Sequence, residues 1–313
     1  MLLNNIACTF LFLLLALASC KNNTEQLAHN NSMTPPPVAA ETPHREQNAP
    51  LPMKESSPKV VRLSPFIKMS QITRGQGLNE LSGQLPTTAQ NEFWGINDKG
   101  NNAELFRFRL NGTVLQKVKI KSIKNDDWEA IARHPDGSLL IGGVGDNNRK
   151  KDEYFIHQID EPDRSVQSID NAKSYKFVYS DGRSHNCEAM FVMAGELYLI
   201  TKEEGSNTPN PLVFRLETLR PKRKLIAHQV TRLNAPATVT GAAYDESKKL
   251  LAVLAYSRLY LFRAQSEPDL LSQPIFTMNI NLAQCEGVCF YGDEIIVSNE
   301  AGELWATKIE MEQ

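Results

Sequence analysis

The sequence is short of the features that most readily announce a function. Its 34 Lys and Arg against 36 Asp and Glu leave a net charge of −2 at pH 7, with a pI near 6.3 and no basic stripe or tail. That balance gives no footing for nucleic acid or an anionic lipid surface. Five cysteines are too few for a disulfide scaffold in 313 residues. Cys285 and Cys289 fall on one predicted strand, too far apart to bond each other in an extended chain, whereas a Cys187 to Cys285 bridge across the fold stays open. Spaced pairs of zinc ligands are missing. No Gly-x-Ser-x-Gly elbow is found, and Gly142-Gly143-Val144-Gly145 follows a predicted strand without opening a helix, so neither a hydrolase nucleophile nor a dinucleotide fingerprint is expected. Amphipathic helical periodicity is absent too. The one long apolar run, Ile6 to Leu17, is too short to span a bilayer comfortably.

That run has the character of a signal-peptide core, and it is followed by Leu17-Ala18-Ser19-Cys20. The tetrapeptide resembles the lipobox of bacterial lipoproteins, which implies cleavage before Cys20 and acylation of its thiol and amine. Against this pattern, Met1 to Asn5 carries no Lys or Arg. Lys21 stands where Asp would resemble an inner-membrane retention signal, so the expected address is the outer membrane, with the folded part facing the periplasm or exterior. Residues 20–58 are rich in Asn, Thr, Ser, Gln and Pro, including Pro35-Pro36-Pro37, and poor in apolar residues. Such a segment cannot bury enough apolar surface to offset its ordering entropy, and it reads as a disordered tether. The organisation expected is a signal peptide over 1–19, a tether over 20–58 and one folded domain over 59–313.

Within the domain a short phrase recurs at intervals of roughly 45 to 60 residues, close to the range of propeller blades and solenoid units. Its copies are Asn79-Glu80-Leu81-Ser82-Gly83, Asp127-Trp128-Glu129-Ala130, Asn186-Cys187-Glu188-Ala189, Val239-Thr240-Gly241-Ala242 and Gln284-Cys285-Glu286-Gly287. Each precedes two or three alternating runs at turn-length spacing. Asn111-Gly112 and Asp136-Gly137 sit between such runs, and both dipeptides favour tight hairpins because their residues tolerate positive φ. Three or four strands per repeat, with no helix, predict an all-β fold of β-propeller type. Five copies predict five blades. Six remain open if the longer stretch between Glu129 and Glu188 holds an irregular one. The last copy has room for three strands, so Val60-Val61-Arg62-Leu63 is expected to supply a fourth and close the ring.

The phrases Asn79 to Gly83, Phe93-Trp94-Gly95-Ile96-Asn97-Asp98, Asp127 to Ala132, Ile141 to Asn147 and Leu197 to Lys202 resemble those of uncharacterised bacterial secreted β-propellers, related in style to the phytase-like and SdiA-regulated propeller groups. The resemblance implies the fold. Through the phytase-like group it also implies calcium held by carboxylates and phosphoester hydrolysis, although that group's metal ligands do not map onto this chain residue by residue.

The first strand of a blade lines the central channel, so Glu80, Glu129, Glu188 and Glu286 are expected to converge near one mouth, with Gly241 breaking the ring. Clustered carboxylates repel unless a cation, a shared proton or main-chain N–H groups intervene. Two readings stay open: a calcium site built from the four acids, or staples in which each Glu accepts hydrogen bonds from the next blade. Asn97-Asp98 and Asp146-Asn147 should lie on mouth loops, offering oxygens to a cation or a hydroxyl-rich ligand, or merely forming Asx turns. Lys202 and Arg258 could bind an anionic group or act as counter-ions. Trp128 could stack on a ligand or fill the core. The functional expectation is a membrane-anchored, extracytoplasmic propeller that holds a small molecule or protein at its channel mouth, with a calcium-dependent, phytase-like phosphoester hydrolase as the alternative.

Overall fold

Short apolar runs bounded by Gly, Asn and Asp make strands throughout, and among the described residues the single helical element is a 3-10 turn at Glu267–Leu271. The computed structural model describes residues 60–72, 75–203 and 209–312. The expected signal peptide, Cys20 and the tether lie outside them. Two strands come first, β1 (Val60–Leu63) and β2 (Ile67–Gln71). An antiparallel sheet follows, made of β3 (Leu81–Pro86), β4 (Phe93–Asn97), β5 (Glu104–Phe108) and β6 (Val114–Ile120). The next stretch carries β7 (Trp128–Arg133), β8 (Leu139–Gly143), β9 (Tyr154–Ile159), β10 (Ser168–Ile169) and β11 (Lys173–Tyr179). Then come β12 (Cys187–Met193), β13 (Glu196–Thr201), β14 (Leu212–Leu216) and β15 (Leu225–Arg232). The fourth set is β16 (Val239–Asp245), β17 (Leu250–Ala255), β18 (Arg258–Arg263) and β19 (Phe276–Asn279), and the last is β20 (Cys285–Tyr291), β21 (Glu294–Asn299) and β22 (Glu303–Glu312).

Burial follows position in the sheet. β4 and β5 are buried at every residue, while the outer strand β6 alternates buried and exposed after its first residues. Inner strands covered on both faces are mostly apolar, the buried charges of β5 being paired, Arg107 with Glu92 and Glu104 with Lys117, and an outer strand needs only one apolar face. The first strands β3, β7, β12, β16 and β20 each pack on the next, and β20 returns to β3. Apolar clusters fill the spaces between sheets, such as Tyr154, Phe177, Tyr179 and Phe214 between the second and third sets. Fully burying one such aromatic is worth about 1.5–3 kcal/mol. The result is an all-β propeller-type ring.

Two features of connectivity stand out. β22 pairs antiparallel with β2 through its first half and with β1 through its second, in the register Val61↔Met311 and Leu63↔Ile309. The longer stretch between Glu129 and Glu188 adds no further inner strand. Its β10 pairs parallel with β6, and its β11 pairs parallel with β15, joining the second and third sets into one eight-stranded sheet. Turn chemistry fixes the hairpins. Gly112, at φ +83°, packs so tightly that a Cβ there would lie 2.2 Å from the Gln71 carbonyl oxygen.

Candidate functional site at the channel mouth

Every first strand starts with the same irregularity. The pairing register slips between Leu81 and Gly83, Trp128 and Ala130, Cys187 and Ala189, Val239 and Gly241, and Cys285 and Gly287. The residue between is the extra one of a β-bulge, re-aimed away from the ladder. Those residues are Ser82, Glu129, Glu188, Thr240 and Glu286. The ring thus consists of three carboxylates and two hydroxyls, which corrects the expected set. Glu80 lies two residues ahead of its bulge, exposed, accepting a hydrogen bond from Asn101 Nδ2 at 2.6 Å. In the fourth repeat the ring position is Thr240, and Gly241 is the residue after it.

The residue after each bulge is Gly83, Ala130, Ala189, Gly241 or Gly287, and sterics explain why it is small. A Cβ on Gly241 would lie 2.4 Å from the Glu286 carbonyl oxygen of the neighbouring strand. Stapling between sheets is done by the hydroxyls. Ser82 Oγ donates to the Trp128 carbonyl at 3.0 Å and Thr240 Oγ1 to the Cys285 carbonyl at 2.5 Å. Ahead of each bulge, the carbonyls of Glu80, Asp127, Asn186, Thr238 and Gln284 accept from the N–H groups of Asp98, Gly145, Lys202, Tyr256 and Glu300. This repeated bond brings the ends of the second strands to the mouth, and with them the side chains of Asp98, Lys202, Tyr256 and Glu300.

The acids divide into sectors. Carboxylate oxygens of Asp98, Asp127 and Glu129 lie within 4.8 Å of one another. Asp127 is 1 % exposed and sits at φ +93°. Its Oδ2 takes Lys99 Nζ at 3.0 Å and Lys151 Nζ at 3.2 Å, while its buried Oδ1 has no hydrogen-bond partner. Gly145 makes this packing possible, because a Cβ there would meet Glu129 Oε1 at 2.3 Å and Asp127 Cγ at 2.9 Å. The glycine run therefore leaves room for acids. Burial, reinforced by the charges of Glu188, Asp98, Glu286 and Asp127, pushes the Glu129 pKa well above the carboxylate range. Burial also raises Asp98.

Across the channel, Glu188 accepts Lys202 Nζ at 2.8 Å, and Lys202 also reaches the Tyr256 hydroxyl at 3.1 Å. Burial raises Glu188 to about 7 in spite of that lysine. Glu286, with no lysine at hydrogen-bond distance among the described residues, is pushed up to about 9 by burial and by Glu188 and Glu300. Glu129, Glu188 and Glu286 line a narrow throat of about 10 Å³, the space of roughly one water.

Other expected site residues have different roles. Asn97 is buried and structural: its Oδ1 accepts from the Asn79 and Glu80 N–H groups and its Nδ2 donates to the Gly77 carbonyl. Asp146 organises its loop. Burial works against its charge, but the N–H groups of Lys150 and Lys151 and the Tyr154 hydroxyl hold its pKa below the usual value. Asn147 is exposed and accepts from Asn186 Nδ2 at 2.9 Å. Trp128 is wholly buried in the apolar cluster with Trp94 and Ile131, away from any ligand face. Arg258 is exposed and donates to the Tyr260 hydroxyl at 3.4 Å, with no carboxylate counter-ion at ion-pair distance among the described residues. Cys187, Cys285 and Cys289 are all free thiols, so the Cys187 to Cys285 bridge is not formed.

Sequence reading missed Asp127, Lys99, Lys151, Tyr256 and Glu300. Asp127 carried a usable signal, since it occupies the position before the bulge dipeptide that is polar in every copy. The lysines carried none, because they reach Asp127 from separate loops.

No family model matches the chain, and no curated protein matches it. Among solved structures it is similar to a candidate gluconolactonase, at 14 % identity, covering 82 % of this chain and 94 % of the other with a TM-score of 0.45. It is also similar to a candidate oxidoreductase (glucose dehydrogenase) from Thermus thermophilus, at 11 % identity over 76 % and 86 % with a TM-score of 0.42. A catalytically inactive virginiamycin B lyase from Staphylococcus aureus, solved with quinupristin, matches at 13 % identity over 73 % and 66 % with a TM-score of 0.38. Likeness at this level assigns no activity.

Proposed function

We propose that the protein is a lipid-anchored, extracytoplasmic propeller of five blades that binds a ligand at its channel mouth through a divalent cation held by Asp98, Asp127 and Glu129. The observation that carries this reading is the buried Asp127 carboxylate, whose Oδ1 has no hydrogen-bond partner and which contributes an oxygen to a set with Asp98 and Glu129 lying within 4.8 Å of one another. An unsatisfied buried carboxylate oxygen is costly, and a hard cation both satisfies it and offsets the repulsion of its neighbours. Calcium suits an all-oxygen set, and its open coordination positions would take the oxygens of a ligand arriving from solvent. Lys99 and Lys151 hold the other Asp127 oxygen in place. The five-blade count draws on the five bulged strands and their cyclic packing, and closure by β1 draws on its pairing with β22. Anchoring draws on Leu17-Ala18-Ser19-Cys20.

No second carboxylate group suited to a metal gathers among the described residues, and nothing in the site favours phosphoester hydrolysis over binding. Calorimetric titration of the chelator-treated protein with calcium tests the reading. A saturable heat lost in Asp127→Asn supports it; no heat, or heat unchanged in that variant, removes it.

A further inference from the structure

The mouth takes the starts of the first strands and the ends of the second, so the antiparallel third strands run away from it and end on the opposite face of the ring. A cluster of charge assembles on that face around Glu92, which is fully buried and immediately precedes β4. Three guanidinium groups meet its carboxylate: Arg107 Nη1 at 3.3 Å, Arg109 Nη2 at 3.2 Å and Arg164 Nη2 at 2.6 Å. Among the described residues none of the three has a second carboxylate at ion-pair distance. Glu161, in the same loop as Arg164, is already matched by Arg133 at 2.7 Å and by the Trp94 indole N–H at 2.8 Å. One buried acid thus faces three cations, and two positive charges are left over.

These charges are held in place. Arg107 is buried, lies over the Trp94 ring at 4.4 Å and donates through Nη2 to the Pro162 carbonyl at 2.7 Å. Gln116 Nε2 donates to the Asp163 and Val166 carbonyls at 2.8 and 2.6 Å. Arg164 therefore stands in a loop pinned to the first sheet before and after it. Burial works against the charge of Glu92, but Arg107, Arg109 and Arg164 hold its pKa below the usual value, so an ionised carboxylate forms the base of the cluster. Arg109 and Arg164 share its Oε1, and their side chains are 46 % and 64 % exposed, so both guanidinium groups reach solvent side by side. Each uses one amino group on Glu92 and keeps the rest of its fork free. Such forks match the oxygens of a phosphate group, and groups fixed in advance lose less entropy on binding. We infer that Arg109 and Arg164, seated on Glu92, form a binding site for a doubly charged oxyanion of the phosphate class, a free phosphate or a phosphomonoester, whose oxygens accept from both guanidinium groups. One such group cancels the two charges left over, which a singly charged phosphodiester does not.

The probes are inorganic phosphate and dimethyl phosphate, the second a monoanion with the phosphodiester chemistry of a lipid headgroup. Binding is read by calorimetric titration of the full chain in detergent and mildly alkaline buffer, with chelator present so that no cation at the mouth can capture the anion. The fold of each variant is checked by circular dichroism. We expect saturable heat with inorganic phosphate, and affinity weakened about tenfold to a hundredfold in Arg164→Gln and in Arg109→Gln. Asp127→Asn, at the other end of the ring, should leave phosphate affinity unchanged, and dimethyl phosphate should bind more weakly than phosphate. No saturable heat in the wild type, equal phosphate affinity in the wild type and both arginine variants, loss of binding in Asp127→Asn, or dimethyl phosphate binding as tightly as phosphate would each overturn the inference.

Discussion

At the scale of single residues, the mouth is a balance between burial and charge. Glu286 shows the consequence most clearly. In the unfolded chain it titrates near the ordinary glutamate value of 4.5, but in the fold its pKa is pushed up to about 9. Between those pH values the native state keeps a proton that the unfolded state has lost, so stability falls as pH rises through this window. Glu188, raised to about 7, adds to the fall over the lower part of it. Thermal unfolding in chelator should therefore show a midpoint that declines from about pH 5 to pH 9, and Glu286→Gln should flatten the slope and raise the midpoint at pH 8. Thr240 makes a different contribution. Thr240→Val keeps the shape but removes the staple to the Cys285 carbonyl, with an expected loss of about 1 kcal/mol in denaturant unfolding.

At the scale of elements, the bulge is the unit that repeats. What is constant is its geometry, a slipped residue followed by a small one, and the side chain at the slip is free to be Ser, Glu or Thr. Gly241→Ala puts a methyl group where the Glu286 carbonyl already sits, and should cost about 1–3 kcal/mol in denaturant unfolding. This geometry also accounts for what could be read in the sequence. Asn111-Gly112 and Asp136-Gly137 announced their hairpins because the turn residues act locally. The repeats were visible, but aligning them on the letter Glu placed Glu80 in the ring and left Thr240 out, since a bulge is defined by pairing to another strand. Trp128 left two readings open in the sequence, stacking on a ligand or filling the core, and the structure has it in the core. Glu129, the extra residue of the bulge and therefore outside the regular alternation, lines the channel.

For the whole molecule, the proposed closure ties chain ends that are about 250 residues apart through β1 and β22. Val61 is 3 % exposed in the cluster beneath that pair, so Val61→Asp buries a charge without a partner and should lower the thermal midpoint sharply. If the midpoint is unchanged, β1 does not close the ring. Cys20→Ser should release the protein from membranes into the soluble extracytoplasmic fraction, read by fractionation and blotting. Diffraction from crystals soaked in calcium, with anomalous differences collected to locate the ion, tests the cation site at the channel mouth most directly. One strong peak is expected at about 2.3–2.6 Å from oxygens of Asp98, Asp127 and Glu129. A peak elsewhere in the channel with none at these three residues, or no peak at saturating calcium, would contradict it.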